Sequence, residues 1–197
     1  MIIFLAVICA VVFSYLYIDK SVAYYFHDHD SEWERFISSL SFLGKSHWYI
    51  VPSILLYFLF RYLQKTRYAQ MALYIFVTNV AAGVAVWMLK IPFGRMRPKL
   101  LFANGDYGFA GLGIHYPYVS FPSGHSATVF TTATALALLF PRLSIPLFLF
   151  ASAVAFSRVT VGAHYFSDVL MGSYLGIVVA LILYRQMISE KQFVQNS

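Results

Sequence analysis

Charge is what this sequence has least of. Only 11% of its 197 residues are Asp, Glu, Lys or Arg, against about 25% in an ordinary soluble domain. So few charges cannot coat a water-facing surface of this size, which excludes a typical soluble globule. Cysteine is nearly absent as well. The single Cys9 lies inside an apolar run, so an intramolecular disulfide and a cysteine-based metal site are both excluded. No basic cluster lies on a soluble segment, which argues against a nucleic-acid partner despite the net charge of +6. No repeat, low-complexity tract or linker divides the chain, so residues 1–197 are expected to form one domain.

What the sequence has instead is apolar length. Hydrophobic residues make up 60% and aromatics 19%. Several runs approach the roughly 20 residues that cross a bilayer. The expected fold class is all-α: a polytopic bundle of six transmembrane helices, at about residues 2–18, 48–63, 71–89, 123–140, 145–161 and 164–184. Ser21-Val22-Ala23 loosely resembles a signal-peptidase site. The preceding run is longer than a signal peptide's apolar region and no Lys or Arg comes before it, so a retained span is expected.

Charge sets the orientation. With the N-terminus cytoplasmic, Arg61, Lys65, Arg67, Arg142, Arg185 and Lys191 all fall inside, as the positive-inside rule requires. Asp19, Asp28, Asp30, Glu32 and Glu34 then fall outside. The basic segment from Lys90 to Lys99 also falls outside and needs a reason other than topology. Residues 31–43 carry Trp33, Phe36, Ile37 and Leu40 at helical spacing, with Ser31 and Glu34 placed for a capping box and Gly44 for a C-cap. This segment reads as a short amphipathic helix, either lying in the interface or packed on the bundle.

Ionisable residues near membrane depth are costly and call for an explanation. Here they fall in three blocks: Lys90 and Arg97-Pro98 with six residues between; Pro122-Ser123-Gly124-His125; and Ser157-Arg158, five residues, His164, three residues, Asp168. In the six-span arrangement all three reach the same, non-cytoplasmic side. Lys90, Arg97 and Arg158 supply cations, and an Arg fork matches phosphate oxygens. Ser123 and Gly124 at a helix start offer donors at its positive end. Phosphoryl transfer is catalysed mostly by such positioning and electrostatics. His164 and Asp168, four apart, are expected on one helix face, the carboxylate fixing the tautomer of a nucleophilic imidazole. His125 remains to protonate the leaving oxygen and later to activate water. A metal site is the poorer reading of the histidines, because the neighbouring cations would repel a metal ion. No cofactor is expected.

Together the blocks resemble the composite motif of the type-2 phosphatidic acid phosphatase superfamily, with all eleven fixed residues present between Lys90 and Asp168. The resemblance implies a six-helix, metal-independent membrane phosphatase with its site on the extracytoplasmic side. It implies that His164 forms a phosphohistidine, that Asp168 is its partner and His125 the acid. Lys90, Arg97, Ser123, Gly124 and Arg158 become the phosphate cradle. It narrows the substrate to envelope lipids: lipid A, undecaprenyl pyrophosphate, phosphatidylglycerol phosphate and phosphatidic acid; among these, Arg95 and Lys99 beside the cradle and the glycine- and aromatic-rich loop after it favour lipid A 1-phosphate. The setting it implies is a bacterial inner membrane, with the chain acting as a monomer. A transporter of phosphorylated lipid is the rival class, but no broken or repeated helices appear at mid-membrane.

Three further features carry expectations. Arg95 and Lys99 add to the cradle or grip a second phosphate. Residues 99–121, rich in glycine and aromatics, read as an unstructured loop serving either as a mobile lid or as an interfacial belt. Gly172 and Gly176 continue the face of His164 and Asp168 and imply close helix packing.

Overall fold

A computed structural model describes residues 2–29 and 32–189. Among these residues the chain is helical, with no strand and one isolated antiparallel bridge between Arg95 and Phe109. The first helix, α1 (Ile2–Asp28), widens to a π-turn over Ser14–Ile18. Next come α2 (Glu32–Ser39), which tightens to a 3-10 turn over Leu40–Gly44, then α3 (His47–Tyr62) and α4 (Thr66–Phe93). A short α5 (Pro98–Asn104) precedes α6 (Gly124–Leu139), α7 (Ser144–Thr160) and α8 (Phe166–Tyr184).

The six long helices overlap the six expected spans. Among the described residues four stretches are long and apolar enough to cross a membrane: Ile2–Asp28, Thr66–Phe93, Pro141–Thr160 and Phe166–Ile188. The chain is therefore a multi-pass membrane protein. Helices α3 and α6 have 16 residues each. That is about 24 Å of rise, short of the roughly 30 Å hydrocarbon core.

Polarity is distributed as lipid solvent demands. Large apolar side chains such as Leu55, Phe58, Met88 and Ile145 face outward, while Thr78, Asn79, Thr131 and Thr132 are buried. Some of the buried polar groups pair inside: Thr132 Oγ1 donates to Asn79 Oδ1 at 3.2 Å, and the Tyr74 hydroxyl to the Ala180 carbonyl at 2.8 Å. Helix α6 is the central post, because its run of Ala, Thr and Ser lets neighbours approach closely. A Cβ on Gly172 of α8 would strike the Ser123 carbonyl oxygen, and one on Gly176 the Ala127 carbonyl. The expected close packing of these glycines is thus against α6. Val129, Ala133, Val154, Ala155 and Val169 fill the space between α6, α7 and α8.

The structure changes two expectations and decides between the alternatives of a third. Helix α1 continues past Ile18 to Asp28, because the buried Asp19 carboxylate finds internal partners and does not have to end the helix. The segment after α1 is packed on the bundle: Leu40 and Leu43 join the α6–α7 core, and Ser38 Oγ lies 3.2 Å from Thr160 Oγ1. The capping box assigned to Ser31 and Glu34 lies outside the described residues. Residues 99–121 are not an unstructured loop. After α5 the chain is strapped to the segment following α4 by backbone bonds, Met96 N to Gly108 O and Ala110 N to Gly94 O at 3.0 Å, and Ser120 N to Arg95 O at 2.9 Å. Gly94 makes the strap possible: it ends α4 at φ +51, and a side chain there would collide with the Gly111 carbonyl.

Candidate active site

The three blocks meet. Lys90 near the end of α4, Arg97 ahead of α5, Gly124 and His125 at the start of α6, and His164 ahead of α8 line one cavity of about 420 Å³. Val86, Trp87 and Gly83 of α4 form an apolar flank, and Lys45 and His47 stand at the beginning of α3. Ser123, Asp168 and Arg158 lie outside the cavity wall, supporting residues that form it.

The cations are held by neutral partners. Lys90 Nζ donates to the Val119 carbonyl at 2.5 Å. Arg97 spreads its fork over three carbonyls: Nε to Tyr116 at 3.0 Å, Nη1 to Ala163 at 2.8 Å and Nη2 to Val119 at 3.3 Å. Its guanidinium also lies 4.3 Å from the centre of the Tyr116 ring. A lysine has three donors and an arginine five, so donor capacity remains for an anion. Arg158 Nη1 donates to Ser41 Oγ, and the Arg158 carbonyl accepts from His164 N at 3.1 Å. One residue thereby ties the 3-10 turn after α2 to the histidine.

Ser123 is the N-cap of α6, its hydroxyl accepting from Ser126 Oγ at 2.9 Å. Its own N–H donates to the Asp168 carbonyl at 3.0 Å. The start of α6, with His125, is thus registered directly against the start of α8. Gly44, which also lines the cavity, presses on His125: a Cβ there would come 2.5 Å from the imidazole Cδ2.

His164 and Asp168 do not share a helix face. His164 precedes α8, whose N-cap is Tyr165, and Asp168 occupies the third helical position. Asp168 folds back, Oδ2 accepting from Tyr165 N at 2.9 Å and from Ser120 Oγ at 2.6 Å, and facing His164 Nδ1 at 3.5 Å. The juxtaposition comes from N-capping, not from helical periodicity. A carboxylate facing Nδ1 favours the proton there and leaves Nε2 free. Burial holds the His164 pKa well below the ordinary imidazole value, against the opposing pull of Asp168. The ring is therefore neutral at ordinary pH.

Arg95 is not part of the cradle. It is fully buried behind His164 and gives its fork to Asp168, Ser167 and Asp19. Burial works against its charge, but Asp168 and Asp19 more than offset this and raise its pKa above the usual value. Lys99 is exposed and lines a separate cavity of about 600 Å³ with His27 and Phe102. Among the described residues no group of three His, Cys, Asp or Glu could hold a metal ion.

A sequence model of the PAP2 superfamily matches residues 67–191, more than half of the chain. The chain belongs to the PAP2 superfamily. It is 38% identical over 154 residues to a lipid A 1-phosphatase of Rhizobium johnstonii, covering 73% of this chain and 63% of that one. A lipid A 1-phosphatase of Rhizobium etli is also 38% identical, over 148 residues, 70% of this chain and 64% of that one. This chain therefore spans less than two thirds of the length of these curated relatives. In fold, this PAP2 chain resembles the crystal structure of Aquifex aeolicus LpxE, with TM-score 0.61, 23% identity and 85% and 95% of the two chains covered. It also resembles a transmembrane PAP2-type phosphatidylglycerolphosphate phosphatase from Bacillus subtilis, with TM-score 0.66, 22% identity and 95% and 94% covered.

Several residues of this PAP2 site were missed in the sequence. Ser120, Ser41 and Gly44 lie outside the motif blocks, and serine or glycine in a turn carries no signal of its own. Asp19 was visible only as one acid among several.

Proposed function

We propose that this chain is a lipid phosphatase acting at the outer face of a bacterial inner membrane. The observation that carries the reading is the convergence of Lys90, Arg97, Gly124, His125 and His164 on one cavity, with Asp168 directly behind His164. Residues 1–197 form one domain, with α3 and α6 completing six spans and both termini cytoplasmic. The basic ends of α4 and α7 then face outward because they serve the phosphate, not topology.

The chemistry follows from the geometry. Lys90, Arg97 and the α6 N-terminus hold the phosphoryl oxygens, with Arg158 adding charge from behind Ser41. The Nε2 lone pair of His164 attacks phosphorus, and the bond to the leaving oxygen breaks. His125 gives that oxygen a proton. Water then attacks the phosphohistidine, giving its proton to His125, and the N–P bond breaks to release phosphate. The cradle stabilises charge on the equatorial oxygens in both steps.

The leading substrate is lipid A 1-phosphate, supported by the names of the two Rhizobium relatives. Undecaprenyl pyrophosphate and phosphatidylglycerol phosphate are the alternatives. Phosphate release from these three lipids and phosphatidic acid, measured side by side in one detergent, tests the reading. Turnover fastest on lipid A supports it. Turnover of phosphatidic acid alone would remove the substrate assignment. Release from none of the four by folded protein would remove the activity and favour a transporter of phosphorylated lipid.

A further inference from the structure

Behind the cavity lies a buried ion network that reaches beyond the matched family region. Asp19, on α1, and Asp168, on α8, share one guanidinium. Arg95 Nη1 donates to Asp168 Oδ1 and, at 2.6 Å, to Ser167 Oγ, while Nη2 donates to Asp19 Oδ2 at 2.6 Å. All three charged side chains are essentially closed to solvent. Asp19 is itself fully committed. Its Oδ1 accepts from Ser14 Oγ at 3.0 Å and from Ser167 N at 2.9 Å, and its Oδ2 accepts from Ser167 Oγ at 2.5 Å. Tyr165 and Tyr15 offer ring faces to the guanidinium, at 4.6 and 5.1 Å.

The arrangement has a direct consequence for Asp168. Asp19 and Asp168 are closed to solvent on either side of one guanidinium, whose two arms fix where each carboxylate sits. If Arg95 were withdrawn, Asp168 Oδ1 would lose its charged donor and the carboxylate would be free to turn away from His164. A turned Asp168 could no longer accept reliably from His164 Nδ1, and the ring would lose its preferred tautomer. Asp19 is the anchor, because it holds the second arm of the Arg95 fork and a free N–H at the first turn of α8.

We propose that Asp19 and Arg95 are positioning residues for the reaction: Asp19 on α1 holds Arg95, and Arg95 holds Asp168 aimed at His164. The proposal rests on the reading of His164 and Asp168 as nucleophile and orienting carboxylate. It makes α1, which lies outside the region matched to the family, part of the catalytic apparatus.

Asp19→Asn, Arg95→Lys and the double variant, purified in detergent and assayed on a soluble aryl phosphate, provide the kinetic test. Each single change is expected to lower kcat by about ten- to a hundredfold, as loss of an outer partner commonly does, with KM and inhibition by inorganic phosphate unchanged. Because Asp19 acts through Arg95, the double variant should be no slower than Arg95→Lys alone. Losses that multiply, or a weakening of phosphate inhibition in step with kcat, would overturn the relay. A wild-type thermal midpoint and elution profile in detergent mark a folded variant; if Asp19→Asn fails that mark, Arg95→Lys, which keeps the charge and loses the fork, carries the kcat-against-KM test. Nitrogen-15 NMR of histidine-labelled protein gives a readout independent of turnover. His164 should hold its proton on Nδ1 in the wild type and populate both tautomers in the variants, and identical tautomers throughout would overturn the proposal. A wild type that hydrolyses nothing would remove the phosphatase reading, while the tautomer measurement would still decide the relay.

Discussion

The front and the back of His164 are built on opposite principles. In front, Lys90 and Arg97 point their donors at backbone carbonyls, which are neutral and leave each cation with unspent charge. Behind, Arg95 is matched by two carboxylates at full burial, and nearly every oxygen of that network accepts a hydrogen bond. A cation facing carbonyls can take on an anion without first breaking an ion pair. A cation locked between two anions binds nothing further and serves to hold its neighbours still. The same residue type, arginine, thus does different work two positions apart in the sequence.

Changing one side at a time should separate binding from turnover. The largest effect is expected at the back. Asp168→Asn should lower kcat by on the order of 10⁴-fold, by analogy with the orienting carboxylate of other triads. Inhibition by vanadate should persist, since the cradle is untouched. Loss of both together would erase the distinction between front and back. Arg97→Lys should lower kcat/KM by about 10²- to 10³-fold and weaken inhibition by inorganic phosphate in parallel, because a point charge replaces a fork. Undiminished phosphate inhibition in that variant would mean that Arg97 serves the strap and not the anion. The smallest effect is expected between the two sides, where α8 meets α6. Gly172→Ala forces a methyl group against the Ser123 carbonyl. It should cost about 1–3 kcal/mol of stability, read as a lower thermal midpoint in detergent, with turnover of the folded fraction reduced less than by either charged-site change.

The parts of this molecule that were legible in the sequence are those with a period or a fixed spacing. The long apolar runs gave the six helices, because lipid solvent imposes length and composition together. The convergence of Lys90, Arg97 and His164 on one cavity was legible because such groups are expensive at membrane depth and call for a shared reason. What stayed hidden was set by tertiary contact. Arg95 looked like one more cation in a basic run, and nothing local tells a cation facing a cavity from one facing Asp19, 76 residues away. The pairing of His164 with Asp168 was anticipated for a different reason from the one observed: the spacing suits a helix face, yet His164 lies before α8 and the carboxylate returns to it as a cap. The strap formed by residues 105–121 was read as unstructured because its bonds run to the segment after α4, and no propensity encodes that partner.

The central claim is that His164 carries the phosphoryl group. Rapid-quench trapping with a phosphorus-labelled substrate, followed by peptide mapping, tests it most directly. The expected result is label that survives alkali and is lost in acid, as an N–P bond requires, on the peptide containing His164. That label should be absent from His164→Ala, along with all turnover. Acid-stable label on a serine, or steady turnover by His164→Ala, would contradict the account.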